Sequence, residues 1–195
     1  MFSQLHDNKT IDLFLNVKLI KDDKVYFSLN RRSESFLYNF GAVLFNAMFN
    51  KALTCKDITG ASFTPRSANS QSVPFYFYSN EGNTYIVLSN STTDQTLTFT
   101  DYKINTPLSN LTVVSGYPQY NIDSQSNYIS LIIVDKWTYT GSNTTITASA
   151  LYYNAIYDTS GNPKRVMLAK DVFDPAISLQ SNSLIEWRYI IKISL

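Results

Sequence analysis

The chain has 195 residues with 16 Lys and Arg against 15 Asp and Glu, a net charge of +1 that offers no field to hold a phosphate backbone as main partner. Hydrophobic residues make up 44%, with 14 Tyr, 12 Phe and 2 Trp among them, which excludes disorder and fits a single domain over 1–195. Ser, Thr, Asn and Gln supply 65 residues, so the chain meets water through neutral polar groups more than through charge.

The start, Met1-Phe2-Ser3-Gln4-Leu5-His6-Asp7, lacks the basic residues and apolar run of a signal peptide. Residues 11–20 then place Ile11, Leu13, Leu15, Val17 and Leu19 on one face at period two, a half-buried strand. Lys21-Asp22-Asp23-Lys24 reads as a turn into a second strand over 25–29. After Arg31-Arg32 the period changes. Phe36, Phe40, Val43, Leu44, Ala47 and Met48 recur at helical steps, which predicts one amphipathic helix near 34–51 with its stripe packed on a sheet. Ser33 or Ser35 is the expected N-cap, and Lys51 suits the helix C-terminus. This segment is broken by Asn39, Gly41 and Asn46 and falls short of the roughly 20 residues a transmembrane helix needs, so no transmembrane segment is expected.

From Thr54 onward the pattern is β. Short strands are expected at 73–78, 84–88, 96–100 and 111–114, a long one at 128–140, and others at 144–153, 165–170 and 184–194. The long strand puts Ile129, Leu131, Ile133 and Trp137 on one face. The last alternates cleanly except for Ile190. Residues 61–72, rich in Ser and Asn, read as an exposed arm. Many strands at spacings near ten residues predict a mainly β fold, an antiparallel β-sandwich of jelly-roll-like or Ig-like type carrying one helix.

Chemistry is hard to find. His6 is the single histidine and lies in an unpatterned tail, so no Ser-His-Asp triad assembles from pattern alone. With one His and one Cys, Cys55, neither a tetrahedral zinc site nor an internal disulfide is available. Of 12 Asp and 3 Glu, no pair stands out as a glycosidase acid and base. Asp57, Asp94, Asp101, Asp158 and Asp174 sit in turn-like contexts, and Asp22-Asp23 lacks a calcium-loop pattern. Six glycines form no phosphate-binding loop. No catalytic, metal or cofactor residue is therefore expected. Sequons at Asn8, Asn90, Asn110 and Asn143 match the roughly four that composition alone gives. Trp137, Tyr139 and Trp187 would suit a sugar-stacking platform for a host glycan, but their period-two neighbours favour burial.

The run Ser35-Phe36-Leu37-Tyr38-Asn39-Phe40 leads into a short helix, and Asp101-Tyr102-Lys103-Ile104-Asn105-Thr106-Pro107-Leu108 resembles the section that closes the first sheet in small structural proteins of tailed phages and archaeal viruses. Residues 146–153, then Leu168-Ala169-Lys170-Asp171, then 177–184 into Glu186-Trp187-Arg188-Tyr189-Ile190-Ile191, form the ending. This order resembles small structural proteins of tailed phages and archaeal viruses. The resemblance implies a virion component, a tail adaptor, capsid-associated or surface subunit. It would be made in the host cytoplasm and bind other virion proteins or itself. It implies no catalytic residues. The Glu-poor, Tyr/Asn/Thr/Ser-rich composition further resembles virion proteins of archaeal viruses from hot acidic springs. Phe63, Pro65 and Arg66 in the arm, with Phe2 and Leu5 in the tail, are the expected partner contacts. The alternative is a carbohydrate- or receptor-binding β-sandwich that uses Trp137, Tyr139 and Trp187.

Overall fold

The computed structural model describes residues 10–33, 36–49, 53–66 and 84–194. Within them, period-two runs become strands β1 (Ile11–Lys21) and β2 (Lys24–Ser33), joined by Asp22 and Asp23 at φ 50° and 59°. Aspartate tolerates that left-handed backbone, which the tight hairpin requires. Later come β3 (Cys55–Lys56), β4 (Ser62–Phe63), β5 (Thr84–Ser89), β6 (Leu111–Val113) and β7 (Gln119–Gln125). Four long strands complete the chain: β8 (Tyr128–Tyr139), β9 (Thr144–Tyr157), β10 (Pro163–Leu179) and β11 (Ser183–Ser194).

The strands form two antiparallel sheets. The large one runs β2-β1-β11-β8, with β6 and β7 both pairing on the far side of β8. The small one runs β10-β9-β5, and β3 pairs only with β4. One apolar cluster fills the space between the two sheets. The large sheet contributes Leu13, Leu15, Val17, Leu19, Ile133, Ile185, Trp187 and Tyr189, and the small sheet contributes Ile86, Leu88, Ile146, Leu151, Phe173 and Ile177. Trp187 is wholly buried and meets Phe173 edge-on at 5.6 Å. Each large side chain so placed stabilises the fold by roughly 1.5–3 kcal/mol relative to exposure. The fold is a mainly β, antiparallel sandwich with one α-helix among the described residues, as the pattern predicts.

Helix α1 spans Tyr38–Phe49, four residues later than the expected start. Ser33 is the last, buried residue of β2. Ser35 and Lys51 lie outside the described residues, as does the expected strand at 73–78. Phe40, Ala42 and Val43 pack the helix on Tyr153, Ile156, Val166 and Leu168 at one end of the small sheet. Asn39 and Asn46, which interrupt the apolar stripe, turn inward. Asn39 Nδ2 donates to Lys56 O at 3.0 Å, and its Oδ1 accepts from Lys56 N at 3.0 Å. Asn46 donates to Pro65 O.

Two other expectations need correction. Residues 96–100 form no strand, because Asp101 accepts from Thr98 N at 3.2 Å and closes a local turn that competes with pairing. Strand β7 has no counterpart among the expected strands. Its polar sequence is held by a seven-residue ladder on β8.

Candidate functional site

The residues expected to meet partners divide into three groups. Phe2 and Leu5 lie outside the described residues. The first half of the expected arm is part of the fold. Phe63 packs on the helix cluster, Pro65 is buried and bridges to Asp158, and Arg66 N donates to Tyr157 O at 2.8 Å. Residues 67–72, the rest of the arm, are not described. Trp137, Tyr139 and Trp187 are 5%, 3% and 0% exposed, so the stacking platform of the alternative reading is core instead. Their inward parity on β8 and β11 dictates this.

The buried ionisable groups are occupied by structural bonds. Asp94 is wholly buried. Burial pushes its pKa up, but hydrogen bonds from Ser89, Asn105 and Thr106 outweigh that and hold it below the usual 3.8. Asp57 accepts from Thr59 N at 2.8 Å and Ala61 N at 3.1 Å, a side-chain turn of the kind expected for it. Lys170, 2% exposed, donates to Thr96 O at 2.7 Å and to Asp101 at 2.8 Å. Between the sheets, Tyr189 donates to Asp171 at 2.9 Å and bonds Ser149 at 2.8 Å, while Arg31 reaches over from β2 to Asp171 at 3.4 Å. Asp135 on β8 accepts from Ile86 N at 2.8 Å, and burial raises its pKa to about 6. Cys55 is core, its thiol pushed up to about 12 by burial, which keeps it protonated and unreactive at neutral pH.

Sequence reasoning missed Asp135, although a signal was present. The parity that puts Ile133 and Trp137 on the buried face includes residue 135. Among the described residues no three His, Cys, Asp or Glu side chains come together as a metal site.

What remains open is the surface of the large sheet. On its outer side, Asn16, Lys18, Ser28, Asn30, Glu186 and Arg188 line a cleft of about 350 Å³. Glu186 there is shared between Arg188 at 2.6 Å and Lys136 at 3.9 Å. The core-side face carries a second open area. Ile11, Ile193 and Ile129 are cross-strand partners in one row, and Ile122 pairs with Leu131 in the next. Two rows inward Tyr189 is fully buried under Ser149, yet these four isoleucines are 39%, 43%, 40% and 59% exposed. They form an apolar shelf at the end of the sandwich. No family model, curated protein or solved structure matches the chain.

Proposed function

We propose that the chain is a non-enzymatic structural subunit of a virus particle, acting through contacts with other virion proteins or with copies of itself. The observation that carries this is the isoleucine shelf on β1, β11, β8 and β7. Contiguous exposed apolar side chains on a folded domain mark contact surfaces. The resemblance of element order and composition to virion proteins suggests the kind of assembly. The glycan-binding alternative loses its three stacking residues to the core and is not pursued. The test is mass spectrometry of particles purified from the source culture, combined with native mass measurement of the chain. A stoichiometric particle component is expected. A strict monomer absent from particles would overturn the reading.

A further inference from the structure

Strand β2 is the outer strand of the large sheet, and among the described residues no backbone bond reaches its second edge, whereas the edges of the small sheet are capped. On β5, Thr84 O accepts from Tyr120 Oη at 2.5 Å, Ile86 N donates to Asp135 and Leu88 O accepts from Leu108 N at 2.7 Å. On β10, Arg165 O, Leu168 O, Val172 O and Phe173 O accept from Ile58 N, Leu37 N, Arg31 and Gln95. Among the described residues, the backbone of β2 from Val25 to Arg32 bonds only to β1. A row of unpaired backbone donors and acceptors is a template for another strand.

Edge charges normally guard against such pairing. Here the two arginines near the end of the strand are already engaged within the chain. Arg31 is bound to Asp171 and Val172 O, and Arg32 to Asp12. Lys24 stands at the far end of the strand.

We propose that β2 pairs antiparallel with β2 of a second copy about a two-fold axis at Leu29, joining two six-stranded sheets into one. Opposite residues in an antiparallel pair share a face, so the partners must have the same parity. A centre at Leu29 sets Ser28 against Asn30 and Phe27 against Arg31, with no cation facing a cation. A centre at Ser28 would bring the register shift at Tyr26 within two residues of the axis, and a centre at Asn30 or Arg31 would bring the arginines of the two copies closer together. The two-fold arrangement is self-limiting, unlike a head-to-tail contact. At the opposite edge of the large sheet, β6 has three residues, and β7 is three residues shorter than β2 and carries Asp123. The proposal stands whether or not the chain belongs to a virus particle.

Ser28 and Asn30 are both exposed, so substitutions there leave the core alone. In the full chain, S28K/N30K places lysine against lysine twice across the axis and is expected to weaken the dimer about tenfold. S28K/N30E places lysine against glutamate and is expected to restore it. Light scattering across a concentration series reads both variants beside the wild type. Cross-linking gives a second readout, since the native Cys55 is buried: S28C/N30C is expected to oxidise to a covalent dimer, and S28C alone is not. A monomeric wild type at every concentration overturns the proposal. So does equal association of the two lysine variants, efficient cross-linking by S28C alone, or growth of open polymers from β2-to-β7 pairing.

Discussion

Replacing Asp135 with asparagine is expected to remove a pH dependence that the wild-type fold carries. The carboxyl is 2% exposed, and burial raises its pKa from the usual 3.8 to about 6 against the opposing pull of the Ile86 N–H. The unfolded chain ionises the same group near 3.8. Between those two values the folded protein holds a proton that the unfolded chain has lost. Stability from this group is therefore complete below the unfolded value, declines as pH rises, and levels off above about 6. At 1.36 kcal/mol per pKa unit, the decline amounts to about 3 kcal/mol. Asp57, Asp94 and Asp158 act in the opposite sense. Their pKa values are lowered, so their contributions are present above 3.8 and are lost as pH falls through the lowered values. Of the carboxyl groups with a resolved shift, Asp135 alone changes its contribution between about pH 4 and about pH 7. The substituted amide keeps an oxygen for Ile86 N and cannot titrate. Urea unfolding at several pH values across that interval should show the wild type losing about 2.5 kcal/mol and Asp135→Asn changing by less than about 1 kcal/mol. A wild type that gains stability toward neutrality, or a variant with an unchanged slope, would refute the reasoning.

Two other substitutions probe packing. Gly141→Ala sets a Cβ 2.6 Å from Tyr139 Cζ and closer still to its hydroxyl, so calorimetry should show a loss of about 1–3 kcal/mol. An unchanged melting temperature would mean that the buried Tyr139 ring has room to move. Asn39→Ala strips Lys56 N and O of their bonds and Met167 O of a third at 3.4 Å, at a cost of about 1–3 kcal/mol for each buried group left unpaired. Amide exchange should quicken through Tyr38–Phe49 before it quickens in β1 or β11, and a uniform increase would contradict a local role for Asn39.

The two strands that alternate cleanly, β1 and β11, are legible nearly to the residue, and they pair through ten register positions. Ile190, which spoils the polar side of β11, lies in an outer row with Phe14 and Ile132, so the large sheet has an apolar strip on its solvent side. Strand β10 is legible only in part, over 165–170. Three register shifts, after Lys164, Met167 and Val172, break the period of two on which any strand reading depends. Strand β7 hides for another reason. Its residues are polar, and only Tyr120 and Ile122 hint at alternation. The groups that tie elements together are less legible still. A lone Asn39, Asn46 or Asp171 in an apolar run looks like an interruption until the backbone it satisfies is known. The isoleucine shelf is invisible in principle, because its residues share the parity of the core and differ only in lying past the cover of the other sheet.

The buried charges show what this charge-poor chain uses ionisable groups for. Asp57 binds two amides of its own turn, Asp94 binds the amides of Asn105 and Thr106, Asp135 binds an amide of β5, and Lys170 binds the carbonyl of Thr96. Each satisfies a backbone group that lies in a loop or at a sheet edge, where no ladder can reach it. A buried charge is worth its desolvation only when its bonds are complete, which explains why so few are used and why they fall at such places. By the same logic an edge left without one is exposed by construction. Arg31 sharpens the point: it starts on the bare strand β2, yet its guanidinium crosses to serve Val172 O and Asp171 on the small sheet. The strand that contributes a cap to another edge has none of its own among the described residues, and that asymmetry favours an association surface on β2 rather than on β5 or β10.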